Sequence, residues 1–184
     1  MLEVALTFPN KGIKEIDNAF YDAHFYKNKQ NYVLKSILES TNTEVTGNII
    51  SAFSKITITF SENLSMNDYQ LIREAIFLLA HHLQADMDDT KAFMGYLENG
   101  QKAYLFHEWK NWKAFLLHAK YKSMKGQKVE VKSKAGAWRG ILLDYQETFV
   151  NSECIITYCT LLTALGEKRV NGKFLHVEAT GEFI

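Results

Sequence analysis

Ile56, Ile58 and Phe60 alternate with Thr57 and Thr59. A period of two puts the apolar side chains on one face and the threonines on the other, as in a half-buried strand. With Val45, Ile49 and Phe53 before them, residues 44–60 read as two strands, a hairpin turning near Ser51 to Lys55. Leu2 to Phe8 alternates more loosely and stops at Pro9-Asn10, a short first strand. Elsewhere the period is helical. Ile13, Ile16, Phe20 and Ala23 recur at helical spacing, and Leu34, Ile37 and Leu38 resume nearly the same stripe after the polar Lys27-Asn-Lys-Gln-Asn31. The spacing predicts helix near 13–39, either one long helix with a solvated turn or two helices broken at that patch.

Ser65-Met-Asn-Asp68 has capping-box spacing, with Asp in place of the usual Glu, and opens a helix near 66–87. Its stripe of Tyr69, Ile72, Ile76, Leu79, Ala80, Leu83 and Met87 is joined by a second, Leu71, Ala75 and Leu78, so the helix reads as central and covered on two sides. Asp86-Met-Asp-Asp89 closes it or begins the next turn, and Lys91 to Leu97 reads as a short helix ended at Asn99-Gly100. Leu105, Trp109, Trp112, Leu116 and Ala119 fall within about 80° of one another at 3.6 residues per turn, which predicts a surface helix near 101–122.

From Gly126 the pattern turns to short strands: Lys128 to Lys132, Trp138 to Asp144, Ile155 to Thr163, Lys168 to Val170 and Phe174 to Ala179, with Asn171-Gly172 as a type I′ turn. The order Gly126-x-x-Val129-x-Val131, then Trp138-Arg-Gly140-Ile-Leu-x-Asp144, then a long third strand resembles the small SH3-like and Sm-like barrels over about a third of the chain. The resemblance implies a five-stranded barrel. The second Sm-like motif, Ile or Leu followed by Arg-Gly near the fourth strand, is absent, so no RNA-binding residue is carried over. The expected fold is α+β: a mixed lobe over 1–125 with helices near 13–39, 66–87 and 101–122, packed on a small SH3-like or Sm-like barrel over 126–184.

Charge changes this picture more than composition does. The 184 residues carry 21 basic and 21 acidic side chains, yet Lys102 to Arg139 holds ten basic residues and only Glu108 and Glu130 against them. Such separation focuses a positive surface on an otherwise acidic body. Its members are Lys110, Lys113, Lys120, Lys122, Lys125, Lys128, Lys132, Lys134 and Arg139, with Trp138 and Tyr121 placed to stack a base. This pattern suits a non-catalytic binding or regulatory protein acting on a protein or nucleoprotein complex. A compact, aromatic-rich, motif-free chain of this kind fits an inhibitor from a phage or mobile element. The first alternative is an RNA- or single-stranded-DNA-binding protein. One arginine in the segment counts against base reading. Barrel edges make a homodimer reasonable.

Enzyme signals are sparse. His82 and Asp86, at i and i+4, are the seed of a second alternative, a metal-dependent hydrolase, but need further ligands. Asp17, Tyr21 and His24 share a helix edge and form a possible acid–base set. No GxSxG elbow or Gly-rich phosphate loop is present, and no cofactor is indicated. Cys154 and Cys159, five apart on one strand, are expected on opposite faces as free thiols in a reducing, cytoplasmic compartment. No signal peptide or membrane-length apolar run is visible.

Overall fold

The alternation at Ile56 to Phe60 is realised in β5 (Lys55–Phe60), whose apolar residues are buried and whose threonines are half-exposed. β5 pairs antiparallel with β1 (Leu2–Thr7), which sets Leu2 opposite Phe60, Val4 opposite Ile58 and Leu6 opposite Ile56. The six side chains make one apolar layer, each at most 7% exposed. The computed structural model describes residues 1–35, 38–39, 44–50, 54–150 and 153–181; the expected turn at Ser51 and the stripe residues Ile37 and Phe53 lie outside them. Among the described residues the protein is α+β, with three helices and sheets of six, two and four strands. Its contacts divide it into two units, Met1–Trp109 and Lys110–Ile184.

In the first unit, α1 (Ile13–Asp22) is far shorter than the expected 13–39 helix. Ala23 caps it, and His24 takes a left-handed φ of 66° that stops propagation. The chain then forms a hairpin, β2 (Phe25–Asn28) and β3 (Asn31–Leu34), with the polar patch as its turn and Lys29 left-handed at φ 55°. Tertiary packing overrides the helical spacing here. Tyr32 stacks flat on Phe20, ring centroids 3.8 Å apart, and Phe25 meets Phe20 edge-on at 5.4 Å. Such aromatic pairs contribute about 0.5–1.5 kcal/mol beyond burial. With β4 (Thr46–Ile50) and β6 (Asp86–Lys91) the sheet order is β2-β3-β4-β5-β1-β6.

α2 (Met66–Leu83) begins at Ser65, whose side chain accepts the Asp68 N–H at 3.1 Å. Its main stripe is buried from Tyr69 to Leu83, but of the expected second stripe only Ala75 is buried, while Leu71 and Leu78 are 39% and 37% exposed, so that side is largely open. Gln84, left-handed at φ 54°, ends the helix before Asp86. The acidic run and the residues after it are strands: β6 (Asp86–Lys91) on β1, then β7 (Phe93–Tyr96) paired with β8 (Lys102–Tyr104) around Asn99-Gly100. The helix expected from Gln101 therefore starts later, as α3 (Trp109–Met124).

In the second unit α3 leads to four strands: β9 (Lys128–Ser133), β10 (Gly136–Val150), β11 (Glu153–Thr163) and β12 (Gly166–Ala179). The SH3-like or Sm-like five-stranded barrel is not formed. The two short strands expected on either side of Asn171-Gly172 are the single strand β12. Instead of turning, that dipeptide sits at a register irregularity against β11, between the pairs Tyr158–Asn171 and Ile156–Leu175. Pairing runs β10-β11-β12-β9, and β9 pairs again with the start of β10. Val129, Val131, Leu142, Ile156, Leu161, Val170, Leu175 and Val177 fill the interior with Met124 of α3. Close packing demands glycine at position 140, where a Cβ would lie 2.6 Å from the Leu162 carbonyl oxygen.

Candidate functional site

The expected basic surface divides when its residues are placed. On the outer face of β9 and β10, Glu130 lies between two cations, Arg139 Nε at 2.8 Å and Lys132 Nζ at 3.0 Å. Lys132 also reaches Glu178 at 3.2 Å, and His176 lies 2.9 Å from the same carboxylate. The chain of opposite charges leaves Lys132 and Arg139 locally neutralised. Lys132, then Arg139, holds the Glu130 carboxyl below its usual range, and His176, then Lys132, does the same for Glu178. Lys125 pairs with Asp144 at 2.6 Å and lies over the Tyr145 ring at 5.5 Å; the Lys125 hydrogen bond pulls the Asp144 carboxyl down. Lys113 and Lys128 are partnered as well.

Lys110, Lys120, Lys122 and Lys134 are exposed and make no hydrogen bond or ion pair with any described residue. Helical geometry puts Lys110 and Lys120 within about 80° of each other, with Lys113 between them, and Lys122 about 120° or more from all three. The nine cations are therefore not one patch. What remains open is an α3 ridge of Lys110 and Lys120, flanked by Lys122 beyond the helix crest, and the Lys134 turn between β9 and β10.

The two aromatic residues expected to stack bases are engaged. Tyr121 and Trp138 pack against the core of the second unit, and Lys168 Nζ sits over the Trp138 ring at 5.4 Å. α3 turns His118, Tyr121 and Met124 inward at i, i+3 and i+6. Of its expected apolar stripe, Trp109 and Trp112 are buried, Leu116 is half-buried and Ala119 is exposed.

The inward turn builds a constellation that sequence spacing does not reveal. His118 Nδ1 lies 2.6 Å from Glu147 Oε1, and the Cys154 thiol donates to Glu147 Oε2 at 3.4 Å. Burial, reinforced by the Glu147 charge, pushes the Cys154 thiol up to about 12. Burial likewise raises Cys159 to about 11. Both thiols are buried and free. The expected opposite facing fails because the irregularity between Ile156 and Tyr158 resets the alternation, so Cys154, Ile156, Cys159 and Leu161 all point inward. A thiol held protonated beside a carboxylate is the reverse of an activated nucleophile. The 29-residue separation of His118 and Glu147, and the bulged register of β10, hide the cluster from the sequence.

The other candidate sets separate. The charged partner of His82 is Asp22 rather than Asp86, Nδ1 4.0 Å from Oδ2, while Asp86 faces Thr7 on β1. No group of three or more histidine, cysteine or carboxylate side chains suited to a metal ion occurs among the described residues. Asp17 turns to Tyr32, whose hydroxyl donates to it, and to Lys27 at 3.1 Å, not to His24. The Tyr32 hydrogen bond, with help from Lys27, holds the Asp17 carboxyl low. Asp89, only 1% exposed, accepts the backbone N–H groups of Phe106 at 2.6 Å and His107 at 3.1 Å and meets His107 Nδ1 at 2.5 Å. That clasp fixes the turn into α3. No described helix is long and apolar enough to cross a membrane.

No protein-family model matches the chain. No curated protein matches it. Among solved structures, the biotin protein ligase from Aquifex aeolicus in complex with biotin and ATP is similar over 91% of this chain and 68% of that one, at 10% identity and a TM-score of 0.25. A similarity that low carries no argument about fold or function.

Proposed function

We propose that the protein is a non-catalytic binding protein that engages an acidic surface on a protein or nucleoprotein partner through the second unit. The observation that carries this reading is the division of charge between the units. Lys110–Ile184 holds twelve lysines and arginines against seven acidic residues, while Met1–Trp109 holds nine against fourteen. Of the described cations in the second unit, Lys110, Lys120 and Lys122 on α3, Lys134, and Arg169 and Lys173 on β12 are exposed and make no ion pair with a described residue, so they are available to meet a partner. Exposed, flexible lysines of this kind steer association and set its salt dependence more than they add affinity. With Tyr121 and Trp138 packed against the core, the lysines of α3 suit a carboxylate-rich protein surface better than stacked bases.

The test is capture from nuclease-treated native lysate by the wild-type chain and by a Lys110→Glu, Lys120→Glu, Lys122→Glu variant of unchanged circular dichroism. A partner retained by the wild type, lost by the variant and released between 50 and 300 mM salt supports the reading, those concentrations being roughly where exposed charges become screened. Equal capture by both chains overturns it. Loss of all capture on nuclease treatment moves the assignment to nucleic acid.

A further inference from the structure

Arg73 on α2 is an exception within the acidic first unit. Its guanidinium carbon lies 5.3 Å from the centroid of Phe106 and 5.9 Å from that of Trp109. It makes no hydrogen bond or ion pair with any described residue, and its Nε is shut off from solvent without an acceptor. The two Nη groups are not shut off in that way. Burial works against its charge, and the adjacent Glu74 supports it electrostatically. A half-buried guanidinium with an orphaned donor is costly, and native structures rarely leave such a donor unmet without a role for it.

The bracket around Arg73 is built rather than incidental. The Asp89 carboxylate holds the Phe106 and His107 amides, Leu105 N donates to Ala92 O at 3.1 Å, and Glu108 adopts a left-handed φ of 65°. A non-glycine residue in that region is strained and persists only where its surroundings impose it. The result brings Phe106 and Trp109, three residues apart, to the same guanidinium. Rings within cation–π reach of the guanidinium carbon supply no hydrogen-bond acceptor, so its N–H groups remain available to a ligand.

We propose that Arg73, bracketed by Phe106 and Trp109, is a recognition site for an oxyanion, the carboxylate or phosphate group of a small acidic ligand. The oxyanion lies in the guanidinium plane, takes the Nη hydrogens first and receives the Nε–H as the side chain turns toward it, completing the two-pronged fork that arginine offers such groups. The site belongs to the first unit and does not depend on the lysines of α3.

The experiment is a titration of the ¹⁵N-labelled full chain with sodium phosphate and, separately, sodium acetate, at ionic strength held constant with sodium chloride. The readouts are the Arg73 Nε–Hε and Trp109 indole resonances. A saturable shift of both with one anion or both, absent with chloride, is expected, and the anion that saturates at lower concentration names the ligand group. Arg73→Lys keeps the charge but loses the fork and should weaken binding by about tenfold or more. Arg73→Met should abolish the Trp109 response. Should Arg73→Met fail to fold, the wild-type titration still decides. Shifts that stay linear in concentration, that chloride reproduces, or that Arg73→Lys leaves at full affinity would overturn the assignment.

Discussion

Arg139 and Glu130 stand directly opposite each other in the β9–β10 register, and their side chains meet at 2.8 Å. Lys132 and Glu178 extend that pair into a line of alternating charge. The carboxyls of Glu130 and Glu178 titrate lower in the folded chain than in the unfolded one. Their contribution to stability is therefore complete above the ordinary glutamate value of 4.5 and is lost as pH falls through the depressed folded values. A urea midpoint that is flat from pH 7 to about 5 and falls below about 4.5 is expected, with a shallower fall in Glu130→Gln. Lys132, Arg139 and Glu178 are about half exposed or more, though Glu130 is 19% exposed, so the effect is modest and shrinks in high salt.

Asp89→Ala should destabilise the first unit by about 1–3 kcal/mol for each amide it leaves unmet, since it strips the acceptor from both the Phe106 and His107 amides. Urea unfolding measures the loss. Near-ultraviolet circular dichroism should change as well, because the Trp109 turn loses its anchor. A loss under 0.5 kcal/mol, roughly what a surface substitution costs, would contradict the clasp.

Gly47→Ala tests the packing of β4 against α1. A Cβ there would lie 2.7 Å from Phe20 Cε1 and 3.0 Å from Ile58 Cδ1, inside the layer formed by the Phe20–Tyr32 stack. Overpacking of this kind costs about 1–3 kcal/mol, to be read from thermal or urea unfolding.

Cys154 and Cys159 should react slowly with a disulfide reagent at pH 8 in the native chain and rapidly in 6 M guanidinium, a concentration above roughly the 5 M that marks hyperstable folds. With thiol values of about 12 and 11, almost none is thiolate at that pH. Glu147→Gln removes the charge that helps hold Cys154 protonated and should speed its labelling, leaving Cys159 unchanged. Equal acceleration of both would show unfolding rather than the local contact.

The strand alternation at Ile56 to Phe60, the cap at Ser65 and the body of α2 were legible because each is set by near neighbours. β2 and β3 were not. Ala23 and Leu34 continue the helical stripe of Ile13, Ile16 and Phe20 in sequence, and only the packing of Phe25 and Tyr32 on Phe20 turns the chain into strands. Asn171-Gly172 misled for the opposite reason: a strong local turn signal lies inside β12, whose long pairing overrides it. The lysine segment is legible in sequence as charge but not as a divided surface, because Glu130, Asp144 and Glu178 reach it through sheet register and the α3–β10 contact. The Arg73 bracket left no trace in the sequence, since Phe106 and Trp109 meet α2 only after Asp89 has shaped their turn.

β1 lies between β5 and β6, so its neighbours are made long after it. Leu2 has to wait for Phe60, and Glu3 for Lys91, before either gains its partner. During synthesis the first strand therefore emerges with two bare edges, and the six-stranded sheet cannot assemble until β6 has left the ribosome. Pairings of such long sequence separation fold slowly and leave apolar strand exposed meanwhile. The nascent first unit is thus the stage at which this chain most needs a chaperone, and slowing translation once Lys91 has cleared the ribosome should raise its soluble yield.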